Sequence, residues 1–228
     1  MSEPKSQKRV GLLIPHTDTT LEFDLKRMLP NNISIHTERM WLDNVTISAE
    51  KKMLKEETPR AIRYLKPIQP DIAVFGCTSA GAIYGIEGDQ TIKKNMTAEL
   101  NCRSVSAFSA VIDYLRELGL QNLAVMTPYI NDVTARVADG LQQYGFNIVF
   151  TCGMGLNDDI EIGRTTPKDI IKYVKINKKN IESGDVLFLS CTNLRAIECK
   201  KTIESLLNMK VVTSNDAILK QVLQYLQG

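Results

Sequence analysis

The stretch VFGCTSAG, residues 74–81, is a hydrophobic run that ends in a cysteine, two hydroxyls and a glycine. On its own it fits a buried structural thiol as well as a strand that presents a nucleophile or a base. A second copy of the pattern, VLFLSCTNLR at 186–195, changes the reading. Cys77 and Cys191 each close an apolar run, each is followed by Thr, and they stand 191 − 77 = 114 residues apart. Other pairs share the register. Pro15 and Pro128 follow apolar runs and differ by 128 − 15 = 113, while Met40 and Leu42 precede Met154 and Leu156 by 114. The chain therefore reads as two related halves.

Outward from the two cysteines, short β-type runs alternate with helical patterns. Strands are expected at 9–14, 33–37, 71–76, 104–107, 122–127, 147–151, 185–190 and 210–213. Helices are expected at 19–29, 48–65, 88–100, 108–118, 131–144, 166–181, 194–207 and 215–226. Ser48 is an expected cap, as is Thr166 with Pro167 and Asp169 in the first turn. Short apolar strands separated by helices predict an α/β fold with parallel sheets covered on both faces. After a polar tail at 1–8, two pseudo-symmetric lobes are expected: 9–108 with 215–228, and 109–214. Ligands in open α/β sheets bind beyond the carboxyl ends of the strands, so both cysteine turns are expected to face one cleft.

The bulk properties exclude several partners. With 28 basic and 26 acidic residues and no basic cluster outside the tail, neither nucleic acid nor an anionic membrane is implied. No apolar run has transmembrane length, and the tail does not read as a signal peptide. Five cysteines without a CxxC pair argue against a disulfide scaffold or structural zinc, and a reducing cytoplasm is the expected location. Neither GxGxxG nor a Walker-type GxxxxGK[ST] occurs, so nucleotide binding is disfavoured.

A thiol where a strand enters a helix lies near the helix's positive end. That position is expected to favour an exposed, oxidation-sensitive thiolate and to offer N–H groups to a substrate carboxylate. Thr78 and Ser79 after Cys77, and Thr192 and Asn193 after Cys191, are small donors suited to the same anion. Two such thiols facing one carbon can remove and return a proton on opposite faces, or one can add to an activated double bond. Free cysteine is also a common core residue, and Cys102, Cys152 and Cys199 are read as such. The repeated register sets Cys77 and Cys191 apart as the catalytic candidates.

CTSAG at 77–81, SCTNLR at 190–195, TSNDA at 213–217 and PHTDTTLE near the start resemble the aspartate/glutamate racemase superfamily. The branch in question contains maleate cis–trans isomerase and arylmalonate decarboxylase. The resemblance implies two Rossmann-like lobes, a cleft for a small dicarboxylate, no metal or other cofactor, and a homodimer. In the isomerase branch both cysteines are catalytic; in the decarboxylase branch glycine replaces the first. Retention of Cys77 therefore points to an isomerase or racemase. By motif, Tyr129 resembles a carboxylate-binding tyrosine and Asn157 falls near a substrate-binding asparagine. Ser214 and Asn215 resemble the pair of the last strand-to-helix turn, either lining the cleft or capping the final helix.

One position departs from the pattern. Isomerases of this branch read P-S-S-N-T-T, whereas residues 15–20 here read PHTDTT, so Asp18 replaces an asparagine that contacts substrate. A carboxylate would repel a dicarboxylate unless protonated or paired, and would suit a substrate ammonium. Asp18 could also cap the following helix, and His16 could pair with it or act as a cation. The leading expectation is thus racemisation of an acidic amino acid, with maleate-type isomerisation as the alternative. A cysteine hydrolase using His16 or His36, and a two-lobed small-molecule-binding protein, are the remaining readings.

Overall fold

A computed structural model describes residues 7–227. The expected strands are all present, as β1 (Lys8–Pro15), β2 (Ile33–Met40), β3 (Ile72–Phe75), β4 (Arg103–Ser106), β5 (Asn122–Tyr129), β6 (Asn147–Leu156), β7 (Val186–Leu189) and β8 (Lys210–Thr213). They form two wholly parallel four-stranded sheets, in the orders β2-β1-β3-β4 and β6-β5-β7-β8. The 114-residue repeat is a repeat of strand register: β1 and β5 begin 122 − 8 = 114 residues apart, and β3 and β7 begin 186 − 72 = 114 apart. Central strands IAVF and VLFL are buried at every position, as parallel strands covered on both faces must be. The edge strands β2 and β6 are half-buried and carry the polar residues.

The helices are α1 (Leu21–Met28), α2 (Ile47–Lys52), α3 (Thr58–Leu65), α4 (Thr78–Ala82), α5 (Gly85–Leu100), α6 (Ala107–Glu117), α7 (Asn131–Gln143), α8 (Asp159–Arg164), α9 (Pro167–Ile181), α10 (Lys200–Leu207) and α11 (Ser214–Gln227). Thr166 caps α9 in a reciprocal box with Asp169, as expected. Three expectations need correction. The cap of α2 is Thr46 rather than Ser48, its hydroxyl accepting from Ala49 N–H at 3.4 Å. The helix expected over 48–65 is interrupted by a π-helical turn at Met53–Glu57, which ends two residues before Pro59, whose missing N–H breaks the α-helical ladder. The helix expected from 194 begins only at Lys200. The short helices α4 and α8 carry too few residues for a periodic signal and lay outside the expected elements.

Helix α11 follows the last strand of the second sheet but packs on α1, β3 and β4 of the first as well as on α6. Its Ala217, Ile218 and Val222 are fully buried there. Among the described residues no helix is long and apolar enough to cross a membrane.

Candidate active site

Both cysteines lie just past the carboxyl ends of the inner strands, Cys77 after β3 and Cys191 after β7. The approach to Cys77 requires a glycine: a Cβ on Gly76 would come within 2.5 Å of Leu21 Cδ2 and 2.7 Å of Ile14 Cγ2. The Gly76 carbonyl accepts the Thr192 hydroxyl at 3.1 Å, so the two cysteine turns touch across the cleft. Ser214 joins them again, its Oγ accepting from Thr78 Oγ1 at 2.8 Å and from Cys191 N–H at 3.1 Å. Tyr129 ends β5, is only 2% exposed, and lies close enough to both thiols to feel them.

The local backbones differ. Cys77 is extended, at φ −146°, and caps α4, so the first-turn N–H groups of Thr78 and Ser79 have no intrahelical acceptor. Cys191 sits at φ 116°, a region that L-residues seldom occupy, and no helix follows directly. The expectation that each cysteine enters a helix therefore holds for Cys77 alone.

The thiols are neither exposed nor lowered. Cys77 is 5% and Cys191 6% exposed. Burial, and then the Glu50 carboxyl, push the Cys77 thiol well up. Burial, and then Asp159, do the same to Cys191. The pull of a short helix is outweighed by removal from water. Cys102, Cys152 and Cys199 are likewise raised by burial, each to about 11.

Carboxyl groups dominate the surroundings. Asp18 is fully buried; its Oδ1 accepts from Thr20 N–H and Leu21 N–H, both at 2.9 Å, and its Oδ2 has no protein partner. Asp18 thus caps α1, and burial with nearby Asp159 raises it to about 7. His16 does not pair with it: the His16 ring stacks on Trp41 and its Nδ1 accepts from Leu42 N–H at 3.2 Å. Glu50, on α2, is fully buried, accepts the Ser79 hydroxyl through Oε1, leaves Oε2 without a partner, and is raised by burial to about 8. Asp159, at the start of α8, accepts from Thr17 Oγ1 at 2.6 Å.

Several expected donors are already engaged. The Asn193 amide is a clamp between the lobes: its Oδ1 accepts from Thr19 N–H at 3.0 Å and Thr20 Oγ1 at 3.2 Å, and its Nδ2 donates to the Asp159 carbonyl at 2.8 Å. Gly163 has room for no side chain there, since a Cβ would meet that amide at 2.9 Å. The hydroxyls of Thr78, Ser79 and Thr192 likewise donate to Ser214, Glu50 and Gly76. Asn215 donates to the Thr192 carbonyl and to Asp24, each at 2.9 Å, so it braces the turn. Asn157 is exposed, and its backbone carbonyl, accepting from Val45 N–H at 2.7 Å, is its link across the lobes. Glu50 and Asp159 were absent from the expected site. Glu50 sits in SAEKKMLKEE, which reads as a solvated helix, and Asp159 in a run of loop-forming polar residues. Among the described residues no group of three or more His, Cys, Asp or Glu is placed to hold a metal ion, and His36 bonds Ser34 rather than a thiol.

Two parallel-sheet lobes with a buried thiol from each, one tyrosine and a ring of high-pKa carboxyls define a class of two-lobed α/β proteins with paired cysteines. Residues 10–227 match the family described as arylmalonate decarboxylase, and the chain belongs to that family. It is 24% identical to a maleate isomerase of Geobacillus stearothermophilus, covering 96% of this chain and 91% of the relative. To an arylmalonate decarboxylase of Bordetella bronchiseptica it is 22% identical, covering 93% and 88%. Among solved structures, a Nocardia farcinica maleate cis-trans isomerase carrying a covalently bound succinylcysteine intermediate, in a cysteine-to-serine mutant, superposes with a TM-score of 0.89. The identity is 20%, over 96% of this chain and 93% of that one.

Proposed function

We propose that this protein is a cofactor-independent isomerase that interconverts the cis and trans forms of a small unsaturated dicarboxylate of the maleate type. The observation that carries the reading is the pair of buried thiols, Cys77 and Cys191, brought close to each other and to Tyr129 past the carboxyl ends of the two inner strands. Similarity to maleate isomerases along nearly the whole chain supports it, as does the succinylcysteine adduct of the Nocardia farcinica enzyme. In this scheme the Cys77 sulfur adds to one alkene carbon, and the π electrons move toward the far carboxylate. Cys191, held protonated by burial, supplies a proton to the carbon so charged. The carbon–carbon axis, now single, rotates; Cys191 then takes the proton back and Cys77 leaves, giving the trans alkene. The first-turn N–H groups of α4 and the Tyr129 hydroxyl face the charge that develops.

The leading expectation from the sequence, racemisation of an acidic amino acid, rested on Asp18 binding an ammonium group. The relatives favour the alternative, and the surroundings of Asp18 give the substitution another account. A carboxyl raised to about 7 and held through Oδ1 can carry a proton on Oδ2, so it offers an O–H where asparagine offers an N–H. Proton NMR in deuterated buffer tests the proposal, with maleate, L-aspartate and L-glutamate supplied separately. Fumarate signals growing from maleate are expected. Loss of an amino-acid α-proton with no change in maleate would replace isomerisation by racemisation.

A further inference from the structure

Glu50 was not among the expected site residues and has no part in the scheme above. It nevertheless lies fully buried within two contacts of a reacting sulfur. Cys77 Sγ is 3.8 Å from Ser79 Oγ, and Ser79 Oγ donates to Glu50 Oε1. The chain of atoms is thiol, hydroxyl, carboxyl, with no water needed between them. We propose that Glu50, acting through Ser79, takes and returns the Cys77 proton, so that the nucleophilic thiolate forms without adding charge to the compartment. The inference rests on the isomerase reading and deepens it.

Charge conservation is the physical ground. The groups that face this chain are Asp159, Cys191 and Tyr129, each acidic or neutral. No lysine or arginine is among the causes acting on Cys77 or Glu50. A second negative charge so far from water is costly. Moving one proton within the compartment avoids that cost. The S–H bond of Cys77 breaks and its proton joins Ser79 Oγ, while the Ser79 proton passes to Glu50 Oε1. The electron pair left on sulfur forms the bond to the alkene carbon. On elimination each transfer runs backwards, and no outside reductant or oxidant is involved. An acceptor raised to about 8 is close to working pH, where a general base is most effective. Glu50 is thus a positioning residue that holds a proton for the thiol.

The opposing account is purely electrostatic: Glu50 would only repel the thiolate, and its neutralisation would speed the reaction. Glu50→Gln separates the two. Relay predicts a fall in kcat of about 100-fold and loss of the limb that rises toward pH 8. Ser79→Ala should cost about the same, Glu50→Gln/Ser79→Ala no more than either alone, and Ser79→Thr should restore most of the rate. An unchanged or faster Glu50→Gln enzyme overturns the proposal.

A substrate-free measurement keeps this distinct from failure of the isomerase reading. Alkylation of Cys77 by iodoacetamide, followed on its own peptide by mass spectrometry, should level off above about pH 8 in wild type as Glu50 ionises. In Glu50→Gln it should keep rising about tenfold per pH unit. Identical profiles would overturn the coupling whatever substrate the enzyme takes.

Discussion

The turn at Cys77 and the turn at Cys191 occupy equivalent places in a duplicated fold, yet they are built for different tasks. Cys77 is extended and followed at once by a helix, with a hydroxyl and a carboxyl in line behind its sulfur. Cys191 is held at φ 116° by a hydrogen bond from its own N–H to Ser214, and Tyr129 lies beside it. In the proposed scheme the first turn offers its thiol a route for losing a proton. The second fixes a thiol that keeps one. Sequence symmetry has produced chemical asymmetry, because what distinguishes the turns comes from elsewhere in the chain: α2 behind one, β5 and the start of α11 behind the other.

The sharpest way to break this comparison is to remove each thiol in turn. Cys77→Ser and Cys191→Ser should both lose turnover by about 10³-fold or more. Intact mass spectrometry with maleate should show a covalent adduct on Cys191→Ser and none on Cys77→Ser. The reverse pattern would exchange the two roles. Next in size, Tyr129→Phe should lower kcat by about 100-fold with the fold intact by circular dichroism, through loss of one donor to developing charge.

Asp18→Asn should change kcat/KM for maleate by less than about tenfold near pH 6, the size of one conservatively replaced hydrogen bond. Above pH 7 it should flatten a rise in KM that wild type shows as Asp18, raised to about 7, ionises against a dianion.

The smallest effect concerns stability of the unliganded protein. Asp18 and Glu50 have folded values of about 7 and about 8, above their ordinary ones. The stability they allow is fully present below the ordinary carboxylate range and is lost as pH rises through the folded values. The melting temperature should fall between about pH 5 and pH 9, and Glu50→Gln should shrink that fall. A melting temperature that climbs over this range would mean the carboxyls are ionised when buried.

The framework of the fold was legible because its signals are local. Buried inner strands such as IAVF and VLFL read as continuous apolar runs, and the 114-residue register of the cysteines coincides with the register of the strands. Tyr129 was visible through its place after Pro128 in the resemblance, and it does face the thiols. Glu50 was invisible because a charged residue in a lysine-rich helix ordinarily faces water; only the packing of α2 against α4 turns it inward. Asn193 was misjudged for a related reason. Its amide looked free for substrate, but Thr17, Thr19 and Thr20 of the opposite lobe and the Asp159 carbonyl of its own lobe claim its hydrogen-bonding positions, a fact about tertiary contact that no local pattern encodes.

The path of α11 bears on how the protein is made. The first sheet is complete in sequence at Ser106, yet the helix that covers part of it begins only at Ser214, the residue that also ties the two cysteine turns together. Domains usually fold in the order they are synthesised. Here the first lobe keeps an uncovered apolar flank until residues 214–227 arrive, so its folding waits for the second lobe to be made. A chain stopped before Ser214 would lose Ala217, Ile218 and Val222 from the cover of the first lobe, although that lobe is made first, and aggregation of such a fragment would begin at its oldest part.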